Sequence, residues 1–205
     1  MSTDLPHRPR RLLLHACCGP CLLEPLDALA LEADEVTIAF ANPNIHPAEE
    51  YVRRRDTLVD YATQAGVDVV ELPYDPDAWE RAVAPLAAAG RNRCRACYRL
   101  RLGLAAHMAA EGGYDALATT LSVSPYQDQA AINEEGQRAA ADSGIAWLDR
   151  DFRGRYPDAT ARSREIGMYR QNYCGCLFSQ AEAEADRQAR REARAAEKAA
   201  RKARG

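Results

Sequence analysis

Seven cysteines fall in three close-set groups, Cys17-Cys18-x-x-Cys21, Cys94-x-x-Cys97 and Cys174-x-Cys176, and none stands alone. Two intervening residues let both thiols of a pair face one metal from a single turn of chain. A lone pair of this kind is a weak signal, and free cysteines are often only small buried apolar residues. Three groups in one chain argue for a shared metal or redox task. A closed tetrahedral zinc site uses four thiolates and leaves three idle. An iron–sulfur cluster also takes up to four and leaves the others for redox or second-metal work, which the surplus favours. Cys18-Gly19-Pro20-Cys21 additionally matches a thioredoxin-type dithiol at a helix N-terminus, where a thiol pKa falls. That arrangement leaves Cys17, Cys94, Cys97, Cys174 and Cys176 without a purpose.

Alternating apolar runs and helical spacing must position these groups. Arg11–Ala16, Glu35–Ala41, Val67–Leu72, Tyr114–Leu121 and Ile145–Leu148 read as strands. Pro20–Leu31, Pro47–Gly66, Asp77–Ala89, Arg95–Glu111 and Gln127–Ser143 read as the helices between them. Asp149–Pro157 reads as a loop and Ala161–Arg170 as a helix. The order βαβαβ–αα–βαβ predicts parallel pairing through right-handed crossovers. The expected fold is α/β: an open, doubly wound, Rossmann-like or HUP-like parallel sheet with helices on both faces and a helical C-terminal extension. Ligands of such sheets bind beyond the carboxyl ends of the strands, where the strand order reverses. Cys17 and Cys18 directly follow the first strand, and Cys94 and Cys97 open the Arg95–Glu111 helix. His15 precedes the first thiols as a core residue or a partner to a sulfur. His46 lies at the end of the second strand.

The chain has 205 residues, 47% of them hydrophobic and 28% charged, the composition of an ordinary globular protein. No apolar run approaches the roughly 20 residues that span a bilayer. The three leucines before Cys17 are too few for a signal-peptide core, so we expect a cytoplasmic protein, where reduced thiols serve metal or redox chemistry. The net charge of −3 hides an asymmetry. Residues 187–205 carry eight Lys/Arg and two Glu, a balance of +6, which leaves −9 on the remaining 186 residues. We expect one α/β domain over 1–178 and a basic Ala/Arg-rich helical tail over 179–205. After the first strand, Pro20 supplies no backbone N–H and only one glycine is present, so a phosphate-binding loop is not expected.

Arg91, Arg93, Arg95, Arg99 and Arg101 bracket Cys94 and Cys97 without an acid among them. By frequency such a run is a solvated helix face. Beside thiols on an acidic body, it could instead hold a phosphate backbone near the chemistry. Arg153 begins a looser basic group. Tyr98, Tyr126, Tyr156, Tyr169 and Tyr173 could stack on an exposed base, although each alone is more often a packing residue.

The pattern as a whole resembles the epoxyqueuosine reductase QueH family over roughly Leu12–Ser179. The resemblance rests on Leu14-His15-Ala16-Cys17-Cys18-Gly19-Pro20-Cys21, Asn42-Pro43-Asn44-Ile45, Arg93-Cys94-x-x-Cys97-Tyr98, Thr119-Thr120-Leu121-x-x-Ser124-Pro125-Tyr126-Gln127, Asp151-Phe152-Arg153 and Met168–Ser179. It implies an iron–sulfur reductase acting on tRNA that carries epoxyqueuosine, with a 4Fe-4S cluster and a separate electron donor. By position, Cys17, Cys18, Cys94 and Cys97 would be cluster ligands, and Cys174 and Cys176 a redox or second-metal pair. An additional mononuclear iron is also implied. The family has a carboxylate where this chain has Cys21, which leaves that second ligand set open. Asp128, Asp151 and Tyr169 are proton-donor candidates from motif position. Arg91, Arg93, Arg95, Arg99 and Arg153 are the expected tRNA contacts. The competing reading is a zinc-stabilised RNA-binding module.

Overall fold

Leu12, Leu13 and Leu14 are all fully buried, a run that a parallel strand covered on both faces requires. In the computed structural model, which describes residues 8–203, they belong to β1 (Arg11–His15). The other strands are β2 (Glu35–Phe40), β3 (Val69–Glu71), β4 (Ala116–Thr119) and β5 (Ala146–Trp147). All pair in parallel in the order β3-β2-β1-β4-β5. The order reverses between β1 and β4, where His15 lies level with both Ala39 and Thr119.

Helices α1 (Gly19–Leu29), α2 (Ala48–Ala65) and α6 (Tyr156–Glu165) cover one face of the sheet. There Leu12, Leu14, Ile38 and Phe40 meet Leu22, Leu26, Tyr51, Leu58 and Ala159. Helices α4 (Arg91–Glu111) and α5 (Gln129–Asp142) cover the other, packing Leu102, Ala106 and Ile132 on Leu13, Leu117 and Trp147. Right-handed crossovers in opposite directions from β1 force this split. Each fully buried leucine contributes about 1.5–3 kcal/mol. A third, smaller cluster joins α3 (Pro76–Val83) to α4 through Trp79, Val83 and Cys97. Cys176 and Phe178 at the start of α7 (Leu177–Ala203) pack against it. Among the described residues no helix is long and apolar enough to cross a membrane.

Several boundaries differ from those the sequence predicts. The helix expected over Asp77–Ala89 ends at Val83 and passes into a 3-10 turn at Ala84–Leu86, because Pro85 cannot supply the next helical N–H. Helix α4 starts at Arg91, so Cys94 and Cys97 sit within its first two turns rather than at its opening. The strand expected to run to Leu121 stops at Thr119, whose hydroxyl accepts from Leu121 N and starts a 3-10 turn. The expected Asp149–Pro157 loop is cut short by α6, which begins at Tyr156 and ends at Glu165, not Arg170. Residues 204–205 of the expected tail and 1–7 of the expected domain lie outside the described residues.

Helix α5 lies so close to β5 that a Cβ on Gly136 would come within 2.3 Å of the Trp147 ring. Gly136→Ala should therefore lower stability by about 1–3 kcal/mol through overpacking. Gly103→Ala, in open space on α4, should raise it by about 0.5–1 kcal/mol. Urea denaturation of both variants checks the pair, and equal shifts would contradict this packing.

Candidate functional site

The carboxyl edge of the sheet brings the three cysteine groups together. Cys18 is the residue before α1, with extended backbone (φ −171°, ψ 157°), and Cys21 lies in that helix's first turn. Glycine at position 19 lets the start of α1 pack closely: a Cβ would come within 2.8 Å of Met168 Sδ and 3.0 Å of Thr57 Cγ2. Cys17, Cys18 and Cys21 hold their sulfurs within 4.8 Å of one another. Six thiols, Cys17, Cys21, Cys94, Cys97, Cys174 and Cys176, line one cavity of about 590 Å³. Cys18 lies behind it, 3.9 Å from Cys17 Sγ.

Ser179 N donates to Cys176 Sγ at 3.4 Å, and three side chains also direct an N–H at sulfur. Gln171 Nε2 donates to Cys18 Sγ at 2.8 Å, Trp79 Nε1 to Cys97 Sγ at 3.3 Å and Gln127 Nε2 to Cys174 Sγ at 3.6 Å. The Cys174–Cys176 turn is held from below by Arg54, which donates to the carbonyls of Cys174 (2.9 Å) and Tyr173 (3.2 Å). Its middle residue, Gly175, has φ 137°, and a Cβ there would come within 3.0 Å of Asn44 and 3.2 Å of Arg54. Only glycine suits such a conformation and approach.

Arg101 sets the electrostatics. It is 1% exposed, on the α4 face that carries Cys94 and Cys97, and donates to Asn42 Oδ1 at 2.6 Å while its Nε has no partner. Among the described residues no carboxylate pairs with it. The other two buried arginines each have a carboxylate: Arg54 pairs with Glu50 and Arg93 with Glu182, both at 2.7 Å. Burial alone would lower the Arg101 pKa, but Cys97, Cys17 and Cys174 hold it above its usual value. The thiols are the counter-ions available to it. Hydrogen bonding from Cys18 and Cys21 holds Cys17 well below the usual thiol range. Burial pushes Cys18, Cys94 and Cys97 up and Cys174 up to about 12. Cys21 is raised chiefly by its hydrogen bond to Cys17. Burial thus opposes deprotonation of most of these thiols, and a metal would supply the positive charge that deprotonation needs.

The donor set fits a thiophilic metal group. Metal–thiolate bonds of about 2.3 Å suit sulfurs as close as those of Cys17, Cys18 and Cys21. The amide of Asn44, fully buried on the cavity wall, leaves both Nδ2 and Oδ1 unpartnered, as does Gln171 its Oε1. Orphaned buried polar atoms cost roughly 1–3 kcal/mol each, which a cavity built to hold a polar or charged guest would recover.

The other expected site residues are placed less centrally. Asp128 caps α5, accepting from Ala131 N, and faces Arg91 at 3.5 Å. Asp151 is bound by Arg153, whose hydrogen bonds hold its carboxyl below the usual range. Both aspartates line an adjoining cavity of about 650 Å³ that shares Cys94, Tyr98, Tyr126 and Gln127 with the thiol cavity. Tyr169 lies outside both and donates to Glu50 Oε2 at 2.7 Å. The arginine run is not a free basic face. Arg95 pairs with Glu134 and with the buried Glu135, which Arg99 also holds, at 2.7 and 2.8 Å respectively. Arg93 binds Glu182 and stacks on Phe178. Arg91 stays solvent-exposed. The acids that offset this run come from α5 and α7, distant in sequence. His15 is a core residue: burial drops its pKa to about 3, with Thr119 Oγ1 at 2.8 Å from Nδ1 and Ala41 O at 3.3 Å from Nε2. Arg54, Glu50 and Trp79 escape the sequence reading because they are single residues within ordinary amphipathic helices.

Comparison with known proteins identifies a family. The model for "Epoxyqueuosine reductase QueH" matches residues 12–182. A protein of that name from Histophilus somni is 35% identical over 184 residues, covering 86% of this chain and 74% of its own. One from Staphylococcus aureus is 34% identical over 191 residues, covering 87% and 79%. One from Thermotoga maritima is 32% identical over 178 residues, covering 83% and 91%. Among solved structures, a predicted subunit of tRNA methyltransferase from Methanocaldococcus jannaschii aligns over 75% of each chain with a TM-score of 0.47 and 12% identity. That likeness is too loose to bear on function.

Arg101→Met separates the charge from the volume it fills. The variant should lose most of the metal retained by anaerobically purified protein, at least tenfold, because the remaining thiolates lose their cation. The metal-free variant should melt no lower than the metal-free parent, since an apolar side chain replaces a buried ion. Metal analysis and thermal denaturation check both signs. Unchanged metal content would contradict the assignment of Arg101 as counter-ion.

Proposed function

This chain belongs to the epoxyqueuosine reductase QueH family, and we propose on that premise that it reduces the epoxide of epoxyqueuosine to queuosine at the wobble position of tRNA. The observation that carries the reading is the cavity itself. Six thiols line one chamber beside a buried, carboxylate-free Arg101, at the edge of the sheet where the strand order reverses. The proposal places the protein in the cytoplasm with its tRNA substrate and a separate electron donor.

The conversion takes two electrons and two protons: the epoxide oxygen leaves as water and an alkene remains. A 4Fe-4S cluster, if held here, would supply electrons one at a time, and an additional mononuclear iron would supply Lewis acidity toward the oxygen. Cys17, Cys18, Cys94 and Cys97 are the proposed cluster ligands. Cys21 stands beside them for the second metal, and Cys174 and Cys176 form a redox or second-metal pair across the cavity. Arg101 and the Arg54–Glu50 pair hold the charge of these thiolates in a buried setting. Trp79, Gln127 and Gln171 direct N–H groups at the sulfurs, which lowers their electron density and raises the reduction potential of what they hold. Asn44 offers its unpartnered amide to an oxygen in the cavity. Of the proton-donor candidates from motif position, Asp128 is the one best placed: it lines the adjoining cavity, whereas Arg153 favours the charged form of Asp151 and Tyr169 lies outside both cavities on Glu50. Tyr98 joins it because its hydroxyl, which donates to Gln127 Oε1 at 2.8 Å, lines both cavities. His15 is too deeply buried and too weakly basic to serve. Arg91, Arg93, Arg95, Arg99 and Arg153 were assigned to tRNA; of these, Arg91 is the one whose charge is least offset.

A thioredoxin-like role for Cys18 and Cys21 fits less well. Cys18 is almost wholly buried and its pKa is raised, whereas dithiol exchange uses an exposed, acidic thiol. The compact Cys17–Cys18–Cys21 group does favour zinc as a second reading, because one ion can bind all three sulfurs.

The test is anaerobic incubation of iron-loaded protein with reductant and tRNA carrying epoxyqueuosine, followed by mass analysis of the released nucleosides. Loss of one oxygen from the modified nucleoside is expected. Ala at Cys17, Cys18, Cys94 or Cys97 should each strip most of the iron and abolish that change. Cys176→Ala should keep the visible absorbance and lose turnover. Colourless, zinc-loaded protein that leaves the nucleoside unaltered would favour the RNA-binding module.

A further inference from the structure

The arginines nearest the thiols are consumed internally, and the body of the protein is acidic, yet the proposed substrate is a polyanion. The described cations left available are concentrated on α7. At 3.6 residues per turn, Arg187, Arg190, Arg191, Arg194, Lys198 and Arg201 fall within an arc of about 100°. None of the six makes an ion pair among the described residues, and all but the half-buried Arg187 are exposed. Glu192 lies opposite the row, bonded to Gln188 at 2.6 Å, and Glu197 lies at its edge. The row begins at the thiol cavity, whose wall includes Arg187 and Arg190, and runs away from it for about 21 Å at 1.5 Å per residue.

The root of α7 is fixed in direction. Phe178 packs 6.0 Å from Trp79 and lies under the Arg93 guanidinium, and Glu182 binds Arg93 at 2.7 Å. The family match ends at residue 182, so the row lies beyond what membership of that family accounts for. The side of α7 opposite the row is mostly alanine, which offers a bilayer little apolar surface to bury.

We propose that α7 is a backbone-binding arm, whose basic row holds the phosphodiester backbone of the tRNA while its modified base enters the thiol cavity. This rests on the proposed reaction for the identity of the polyanion, but the arm is tested by binding alone. A flexible basic tail would attract RNA from any side. A row on one face of a helix rooted at the cavity binds only a backbone that lies along that face.

Two full-length variants separate these cases. In the first, Arg191→Gln, Arg194→Gln, Lys198→Gln and Arg201→Gln remove four charges and keep strong helix formers. Its affinity for unmodified tRNA should fall by roughly tenfold or more at physiological salt, and the slope of log K against log salt should flatten by about three. The second keeps the net charge and moves three cations to the alanine side: Arg191→Ala with Ala193→Arg, Arg194→Ala with Ala196→Arg, and Lys198→Ala with Ala200→Lys. It should bind nearly as weakly as the first. Wild-type binding by either variant would overturn the arm. So would row-dependent binding to phosphatidylglycerol vesicles without binding to tRNA. Row-dependent tRNA binding in protein that reduces no epoxide would support the arm and remove the proposed reaction, whereas epoxide reduction with no effect of the row on binding would do the reverse.

Discussion

A buried guanidinium with no carboxylate partner is the constraint on which the rest of the site depends. Moving a charge out of water costs several kcal/mol unless an opposite charge meets it, and around Arg101 the groups able to do so are sulfurs. Arg54 poses no such demand, because Glu50 neutralises it. The cavity therefore favours negative charge beside Arg101, and it holds thiols whose protons a metal would displace. Burial holds most of those protons in place.

The fold delivers this balance through a few backbone decisions. Opposite crossovers from β1 open the carboxyl edge between β1 and β4, and the first thiols follow β1 at once. Gly19 lets α1 start close against Met168 and Thr57, where Cys17, Cys18 and Cys21 gather. Helix α4 presents Cys94, Cys97 and Arg101 on one face, so a thiol pair and its counter-ion arrive as a rigid unit. Gly175 lets the last pair approach Asn44 and Arg54 closely enough to close the cavity. Helix α7 then leaves from the cavity wall, anchored by Arg93, so its basic row has a defined direction.

The alternation of strands and helices and the doubly wound parallel sheet were legible because buried parallel strands and helical spacing write themselves as apolar patterns. Element ends were less so. Pro85 and the Thr119 hydroxyl each redirect the chain through a local hydrogen-bond choice that apolar spacing does not record. The cysteine groups were visible as spacing, but their grouping in space was not: α1's start brings Cys21 next to Cys17 and Cys18, while Cys94 and Cys97 stand on another helix. The arginine run misled in a specific way. It contains no acid in sequence, yet Glu134, Glu135 and Glu182 reach it from α5 and α7. Arg101 looked like one more member of that run, and only its burial shows it to be the counter-ion. The converse holds for α7, whose lack of a bulky apolar stripe reads as a solvated tail until its root is seen docked on Trp79 and Arg93.

The central claim is that this cavity is charge-balanced for an iron–sulfur group held by its own thiolates. X-ray absorption at the iron edge of anaerobically loaded, full-length protein tests it most directly. The account predicts a shell of sulfur neighbours around iron together with a short iron–iron distance. Iron surrounded by oxygen and nitrogen with no iron neighbour, or zinc in four-sulfur coordination in place of iron, would contradict it.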